Sequence, residues 1–323
     1  MGKRITDFMY KLMIKGLSRV LASGDIPLPD GREPIIADES ADLNFIGFGD
    51  PQISALSPLR SARFYSALRD IEQAKGSFDA LIIAGDVTEY GAACEFKMTA
   101  RLLESVSEKF GSIFLTTGNH DIRIRRHKRQ LRKIRGYIGE IKNGVPHGED
   151  SYFFSKDING YRFIIMGSDR NTFEAAYLSD AQLEALDGEL KTAGNKPVFV
   201  INHQPLKYTN GLPYTWMGKG SWRGSVGRES DKLKEIFERH GNVIFITGHL
   251  HFGISEYNYE DYGKYKCISL PTVGVLNHGK NDKLAQGYVF TVKGNTVTAR
   301  ARCFAEGRYY GGDTENSLIE INC

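Results

Sequence analysis

Five short apolar runs, each ending in polar residues, limit the fold of this chain more than any other feature. The runs occupy residues 43–50, 79–86, 112–121, 196–203 and 242–251. Short stretches of Ile, Phe, Val and Leu with few charges are typical of strands buried on both faces. Segments with helical spacing lie between the runs, at residues 59–75, 92–109, 179–191 and 230–240. This alternation predicts a largely parallel sheet with helices outside it.

Additional strands are predicted by apolar or alternating segments at residues 151–155, 161–168, 265–270, 287–292 and 296–301. Two pairs of these strands are joined by the short segments 156–160 and 293–295, which predict antiparallel hairpins. A second sheet packed on the first accommodates both the parallel and the antiparallel strands. We therefore expect an α/β fold, a four-layer αββα sandwich of two mixed sheets flanked by helices.

The first 41 residues differ from the rest of the sequence. Apolar residues recur there at roughly helical spacing, which predicts an amphipathic helix of about five turns. Lys11, Lys15 and Arg19 interrupt what would be the apolar centre of an export signal. The helix is expected to pack on the protein body or a partner subunit, or to contact a membrane surface through residues 4–22. A connector with three prolines follows, and we expect the main domain to cover residues 42–323.

The positive charge of the chain is concentrated in one segment. The net charge is +3, from 42 Lys and Arg against 39 Asp and Glu. Eight of the cations lie between Arg123 and Arg135 without an acid, so the other 310 residues carry −5. The four cysteines are far apart in the sequence, which favours reduced thiols in a cytoplasmic protein. With 41% hydrophobic residues, the composition excludes a disordered chain.

Each of the first five runs ends in side chains that can ligate a metal or carry a proton. They are Asp50, Asp86, Asn119, His120, Asp121, His203, His249 and His251. Because ligands bind outside the carboxyl ends of strands in open α/β sheets, residues spread over about 200 positions can meet there. Each residue alone has a common local role, such as capping a helix or closing a turn. Capping does not explain why four of the eight histidines fall in this set.

The donor types in this set suit two metal ions. Asp, His and Asn ligate Mn²⁺, Fe²⁺ or Fe³⁺, and Zn²⁺, and one aspartate can bridge two ions. Two ions about 3.5–4 Å apart can share a hydroxide and hold the oxygens of a phosphoryl group during in-line displacement. Two divalent ions outweigh two carboxylates and a hydroxide in charge, so the site would attract an anion.

These segments resemble the motifs of the calcineurin-like metallophosphoesterase superfamily, D-x-H, G-D-x-x-(D/E/N), G-N-H-(D/E), H and G-H-x-H. The corresponding positions here are 50–52, 85–89, 118–121, His203 and 248–251. They occur in the same order, and the resemblance covers roughly residues 43–290. It implies two packed sheets flanked by helices and a metal-dependent phosphatase or phosphodiesterase activity.

Carried over residue by residue, the resemblance implies one metal held by Asp50, Asp86 and His251. The second metal would be held by Asp86, Asn119, His203 and His249, with Asp86 as the bridge. The resemblance also places His120 beside the metals, where it would assist the leaving group. Asp121 would then orient the His120 ring and favour the imidazolium. An alkoxide leaving group needs such a proton donor.

Gln52 departs from the pattern, which usually has His at that position. Some branches of the superfamily carry D-x-Q instead. We include Gln52 among the expected metal-site residues, although an amide offers an oxygen or only a hydrogen bond to a ligand. We expect it to favour a harder ion such as Mn²⁺ or to weaken binding of the first metal. The alternative is a loop residue that takes no part in ligation.

Substrate contacts are expected from two segments. Arg123 and Arg125 begin the basic run and are predicted to bind a phosphate bidentately, the alternative being a solvated helix face. The aperiodic segment 204–229 contains both tryptophans. Its predicted contacts to the organic part of a substrate are Tyr214, Trp216, Trp222 and Arg223. The alternative for these aromatic residues is packing beneath the loop.

The sequence therefore predicts hydrolysis of a phosphate mono- or diester by a metal-bridging hydroxide, with His120 assisting the leaving group. The alternatives are a nuclease-type phosphodiesterase and a non-catalytic binding module that retains the fold. The basic run favours a nuclease slightly, but the acidic remainder offers no track for a polyanion. We expect a small phosphorylated substrate and no stable nucleic-acid partner.

Overall fold

Two mixed β-sheets form the centre of the computed structural model of the 323-residue chain. The structure describes residues 2–24, 26, 32–139, 141–142, 144–146, 151–211, 224–275 and 285–323. The predicted aromatic contacts Tyr214, Trp216, Trp222 and Arg223 lie outside the described residues.

The first sheet contains the strands from both ends of the described chain. They are β1 (Leu43–Phe48), β2 (Phe78–Ile83), β3 (Phe110–Leu115), β10 (Gln286–Lys293), β11 (Thr296–Cys303), β12 (Arg308–Tyr309) and β13 (Leu318–Asn322). The strand order is β12-β11-β10-β1-β2-β3, and β13 pairs with β11. Strands β1, β2 and β3 are parallel, with Phe45 beside Ala80 and Ala80 beside Ser112. Strand β10 runs antiparallel to β1, so the sheet is mixed.

The second sheet comes from the middle of the chain. Its strands are β4 (Phe153–Ile158), β5 (Tyr161–Met166), β6 (Val198–Ile201), β7 (Val243–Thr247), β8 (Tyr259–Asp261) and β9 (Tyr265–Ser269). In the order β4-β5-β6-β7-β9-β8, the four inner strands are parallel and the two edge strands antiparallel. The predicted hairpin at β4 and β5 is confirmed, although only Asn159 and Gly160, both at positive φ, form its turn.

Helices cover the outer faces of both sheets. They are α1 (Gly2–Ser23), α2 (Pro58–Glu72), α3 (Ala93–Glu104), α4 (Asn119–Ile122), α5 (His127–Ile138), α6 (Asp180–Thr192) and α7 (Ser230–His240). Helices α2, α3 and α5 pack on the first sheet, and α6 and α7 pack on the second. The predicted αββα sandwich of two mixed sheets flanked by helices is confirmed.

In the second sheet, the side chains on the two faces of each inner strand belong to different hydrophobic cores. In β6, Val198 and Val200 join the cluster beneath α6 and α7, whereas Phe199 faces the first sheet. Phe199 meets Phe45 with ring centroids 5.0 Å apart, and Phe45 meets Phe163 at 5.6 Å. This aromatic layer packs the sheets face to face and fixes the relative position of their strand ends.

Helix α1 lies outside the sandwich, across α2 and α3. Met13 and Leu17 are buried there, and Lys97 of α3 donates a hydrogen bond to Asp7 at 2.7 Å. The predicted helix is present, but its apolar residues divide between two faces. The exposed ones are Ile5, Phe8, Leu12 and Ile14. No helix of the described residues has the length and hydropathy of a membrane span, and the domain boundary at residue 42 stays a prediction.

Candidate metal centre

The side chains that follow five strands meet at one edge of the two sheets. Asp50, Asp86 and Asn119 follow β1, β2 and β3, His203 follows β6, and the pair at 249 and 251 follows β7. Two groups have ligating atoms within 4.8 Å of one another: Asp86, His203 and His249, and Asp50, Asp86 and His251. Asp86 belongs to both groups. The fold therefore places the candidate ligands from both sheets around one carboxylate.

The first group contains two histidines whose ring nitrogens face each other. His203 Nε2 lies 3.1 Å from His249 Nδ1, 3.2 Å from Asp86 Oδ2 and 3.2 Å from Asn119 Oδ1. The other nitrogen of His203, Nδ1, donates to the Ala84 carbonyl at 2.7 Å. Because that bond fixes the tautomer, Nε2 is directed at the carboxylate and is the atom that can ligate a metal.

The second group lies on the other side of Asp86. His251 Nε2 is 3.1 Å from Asp50 Oδ1, and the backbone N–H of His249 donates to Asp50 Oδ2 at 3.0 Å. The Asp50 and Asp86 side chains are essentially inaccessible to solvent, with relative exposures of 0% and 1%. Two buried carboxylates beside imidazole nitrogens are a donor set that Mn²⁺, iron and Zn²⁺ accept.

Two of these groups have the ionisation of metal ligands, and a third does not. Burial raises the pKa of Asp86, but the charges of His203 and His120 outweigh burial and leave that pKa well below its ordinary value. Burial and the charge of His203 hold the pKa of His249 well below its ordinary value, so its imidazole is neutral. An ionised carboxylate and a neutral imidazole are the states in which these side chains ligate metals. Burial lowers the pKa of His203, but the Asp86 carboxylate outweighs burial and raises that pKa to about 9, so this ring must lose a proton to bind a metal.

The backbone is strained at the candidate ligands. Five residues here have φ in the left-handed region: Asp50 (54°), Gln52 (39°), Asp86 (47°), His249 (72°) and His251 (52°). Such conformations are uncommon for residues other than glycine and persist only where the surrounding structure enforces them. The strain turns these side chains toward one another at the strand ends.

Glycines preceding the ligands allow the loops to approach closely. A Cβ on Gly118 would lie 2.0 Å from Asp86 Oδ1, and one on Gly248 would lie 2.8 Å from Asp50 Oδ2. Any other residue at either position would therefore displace a candidate ligand. These two positions explain part of the high glycine content, 35 residues in the chain.

His120 lies beside the cluster, with Nε2 3.8 Å from Asp86 Oδ2. Its Nδ1 is 3.3 Å from the Glu89 carboxylate and 2.8 Å from Arg123 Nη2. Burial lowers the pKa of His120, but the carboxylates of Asp86 and Glu89 outweigh burial and raise that pKa to about 9. Asp86 and Glu89 are thus the acids that face the ring and favour the imidazolium.

The expected role of Asp121 in orienting His120 is wrong. The Asp121 carboxylate accepts hydrogen bonds from the backbone N–H groups of Gly118, Val87 and Thr88 and from the Thr88 hydroxyl. Neighbouring residues on a helix point about 100° apart, so Asp121 faces away from the ring that precedes it in α4. Asp121 instead joins the loop after β2 to the loop after β3.

The amide of Gln52 presents its nitrogen to the metal-site residues. Gln52 Nε2 donates to Asp86 Oδ2 at 3.2 Å and lies 3.1 Å from His251 Nε2, while Arg60 donates to Gln52 Oε1 at 3.1 Å. Of the two expected roles, an oxygen directed at a metal or a hydrogen bond to a ligand, the geometry has the hydrogen bond. The oxygen is not directed at the ligands because Arg60, which also pairs with Glu89, donates to it.

A second acid missed by the sequence analysis is Glu174, from the loop after β5. It accepts from Asn119 Nδ2 at 2.8 Å and lies 3.4 Å from Arg123 Nη1. The bond to Asn119 leaves Asn119 Oδ1 directed at His203. Glu174 belongs to no motif that could have identified it, whereas Glu89 and Arg60 lie near the motifs and Glu89 ends G-D-x-x-E.

The two predicted arginines have different positions. Arg123 is about four-fifths buried, with 18% side-chain exposure, and lies between Glu89 and Glu174 beside His120. Arg125 is exposed, and its charge acts on Lys133 of α5. The structure therefore brings Arg123 to the site and leaves Arg125 at the surface near α5.

The chain is similar to a known protein family and to a characterised relative. The calcineurin-like phosphoesterase family matches residues 42–253. A 3′,5′-cyclic-nucleotide phosphodiesterase from Nostoc sp. is 22% identical over 219 residues, 68% of this chain and 72% of the relative.

A solved structure shares the fold. The purple acid phosphatase of yellow lupin seeds matches 87% of this chain with a TM-score of 0.62 and 14% identity. The match covers 53% of the lupin protein, so this chain spans about half its length. The phosphopantetheinyl hydrolase of Mycobacterium tuberculosis matches 72% of this chain and 91% of its own, with 15% identity and a TM-score of 0.46. With the family match covering most of the chain, the protein belongs to the calcineurin-like phosphoesterases, a family of metal-dependent phosphoester hydrolases.

Proposed function

We propose that this protein is a dinuclear metal-dependent phosphoesterase that hydrolyses a small phosphate mono- or diester. The observation that carries the proposal is the position of Asp86 in both groups of ligating atoms. A carboxylate shared in this way can bridge two ions through its two oxygens. The relative from Nostoc, named for its action on 3′,5′-cyclic nucleotides, supports including a diester among the substrates.

Two sets of side chains would hold the ions. The first is Asp50, Asp86 and His251, and the second is Asp86, Asn119, His203 and His249. When bound, the ions would supply Lewis-acid stabilisation of the phosphoryl oxygens and lower the pKa of a water molecule. The identity and number of the ions belong to the proposal.

His120 is the residue that would protonate the departing oxygen. Its Nε2 faces Asp86, and its Nδ1 lies near both the Glu89 carboxylate and Arg123 Nη2. The two carboxylates favour the protonated ring, and they outweigh the opposing charge of Arg123. The side chain is 13% exposed, which leaves an edge accessible to a substrate. Proton donation removes the full negative charge that an alkoxide would otherwise develop.

Arg123 would bind the phosphate beside His120. Its guanidinium lies 3.6 Å from Glu89 Oε1 and 3.4 Å from Glu174 Oε1, and these acids hold it at the site. A guanidinium presents paired N–H donors that match two oxygens of a phosphate. Because Arg123 also contacts His120 at 2.8 Å, the phosphate would be positioned next to the proton donor.

The proposal is tested with protein stripped by a chelator and reconstituted with Mn²⁺. The substrates are p-nitrophenyl phosphate, bis(p-nitrophenyl) phosphate and a 3′,5′-cyclic nucleotide. We expect hydrolysis of at least one substrate that requires the metal and is lost in His120→Ala.

The shared carboxylate is tested with Asp86→Asn, which should reduce the metal content and lower the activity about 100-fold or more. Asp187→Asn, which changes a partly exposed carboxylate paired with Arg239, is the matched control. Folded protein that binds two ions but hydrolyses none of the substrates would contradict the proposal and favour a binding module.

A further inference from the structure

The outward side of α1 combines exposed apolar residues with exposed cations. Phe8, Ile5 and Leu12 are 61%, 56% and 46% exposed. The cations beside them are also exposed: Arg4, Lys11, Lys15 and Arg19. At about 100° per residue, these seven residues fall within a sector of about 120° of the helix. We call this sector the α1 outer face.

The opposite side of α1 is held on the protein. Met13 and Leu17 are buried against α2 and α3, and the ring of Tyr10 lies 4.8 Å from Lys97 Nζ. The α1 outer face is thus presented by a helix that is already folded. Binding through it requires no ordering of the helix, which lowers the entropic cost of association.

The α1 outer face carries no acid. Asp7 is the only acidic residue of α1, and its carboxylate is turned toward Lys97 of α3, 2.7 Å away. Asp7 also interacts with Lys11, but the four cations of the face have no negative charge among them on that face. A face of this kind attracts an anionic surface.

We propose that the α1 outer face docks on the surface of an anionic lipid bilayer. Amphipathic helices with Lys and Arg beside Phe and Leu bind such surfaces by placing the apolar side chains among the acyl chains and the cations among the headgroups. The helix would lie in the plane of the interface, in keeping with the absence of a span among the described residues.

Two other binding partners, a second copy of the chain and a different protein, fit the α1 outer face less well. A second copy of the chain pairing through the same face would place its cations against those of the first copy, which like-charge repulsion disfavours. The cores of protein interfaces are depleted of charged residues, lysine in particular, whereas cations outnumber apolar residues on this face.

Helix α5 provides an internal comparison because it also packs on α3. Its cations Lys128, Arg129 and Arg132 are exposed, but its apolar residues Leu131 and Ile134 are buried. A purely electrostatic attachment would use α5 as readily as α1. Attachment through the α1 outer face requires the exposed Phe8 and Leu12 as well.

The test is co-sedimentation of the full chain with vesicles of phosphatidylcholine, with and without phosphatidylglycerol. We expect binding to the anionic vesicles that weakens at high salt and little binding to phosphatidylcholine alone. Lys11→Glu with Lys15→Glu should lower the partition coefficient about 25-fold or more, since each cation contributes about fivefold. Phe8→Ser with Leu12→Ser should lower it about tenfold or more.

The charge-matched control is Lys191→Glu with Lys264→Glu, which changes two exposed lysines elsewhere by the same amount. It should bind as the unmodified protein does, and thermal unfolding should show that all variants fold. Failure to bind anionic vesicles would overturn the proposal. So would loss of binding in Arg129→Glu with Arg132→Glu together with full binding by both α1 variants. Each readout is independent of phosphoester hydrolysis.

Discussion

Arg60 donates a hydrogen bond from Nη1 to Gln52 Oε1 at 3.1 Å, and this contact sets the direction of the Gln52 amide. Nε2 therefore points at Asp86 Oδ2 and His251 Nε2, at 3.2 and 3.1 Å. The opposite orientation would place the amide NH₂ against the guanidinium, donor against donor. Gln52 consequently acts on the site by holding two ligand side chains.

Replacing Gln52 with His should strengthen metal binding at the group formed by Asp50, Asp86 and His251. An imidazole adds a ligand at a position where the structure presents an N–H, so we expect at least about tenfold tighter binding. Metal content after dialysis and titration calorimetry with Mn²⁺ and Zn²⁺ measure the effect. Gln73→His, on an exposed residue after α2, controls for adding a histidine. Equal metal affinity in the variant and the unmodified protein would count against the inferred role of Gln52.

The positions of the ligands at the strand ends could be predicted from the sequence because they follow from local patterns. Apolar runs identify buried strands, and the polar residues after Phe48 and Ile83 lie at the same edge because parallel strands share a direction. The positions of Glu89 and Glu174 could not be read in this way. Their contacts to His120, Asn119 and Arg123 depend on how loops from both sheets fold together.

One error of the sequence analysis and one point that it left open have physical causes. Asp121 is adjacent to His120 in the chain, but helical geometry separates their directions, and the carboxylate bonds the loop around Thr88. In α1, helical spacing alone does not distinguish a packed apolar residue from an exposed one. Met13 became buried and Phe8 exposed because α2 and α3 contact a single side of the helix.

The contact between Glu89 and His120 predicts a change in the pH dependence of hydrolysis. The Glu89 carboxylate raises the pKa of His120, so Glu89→Gln should lower that pKa. Because His120 donates a proton, activity requires its protonated form and falls as the pH rises through its pKa. The alkaline limb of kcat/KM should therefore move to lower pH, by about 1 unit.

A pH profile of kcat/KM for the metal-loaded enzyme measures this shift. Glu104→Gln, on a carboxylate that is 56% exposed at the end of α3, should leave the limb in place. His120→Ala should remove the alkaline limb of the profile. An equal loss at every pH in Glu89→Gln would indicate a structural role for Glu89 and contradict the proposed effect on the proton donor.

Arg302 predicts a large stability effect far from the metal centre. It is fully buried in β11, and its Nε and Nη2 donate to the two carboxylate oxygens of Asp70 at 2.6 and 3.0 Å. Nη2 also donates to the Glu33 carbonyl at 2.6 Å. Among the described residues, Arg302→Ala leaves buried Asp70 with Arg32 as its remaining cation, so the free energy of unfolding should fall by about 3 kcal/mol.

Urea denaturation monitored by circular dichroism measures that loss. Arg308→Ala is the matched control, because Arg308 is 62% exposed and pairs with Glu306 at the surface. Its free energy of unfolding should change by no more than about 0.5 kcal/mol. A loss below about 1 kcal/mol in Arg302→Ala would show that the buried pair with Asp70 contributes less than its geometry indicates.

Two glycine-to-alanine changes should have opposite effects. A Cβ on Gly118 would lie 2.0 Å from Asp86 Oδ1 and 2.3 Å from its backbone nitrogen, so Gly118→Ala must displace the shared carboxylate. We expect reduced metal content together with a lower Tm. Gly136, within α5, has open space around its Cβ position, and Gly136→Ala should stabilise the protein by up to about 1 kcal/mol with no change in metal content. Thermal unfolding and metal analysis of both variants test this, and normal metal content in Gly118→Ala would mean that the loop after β3 can move without disturbing Asp86.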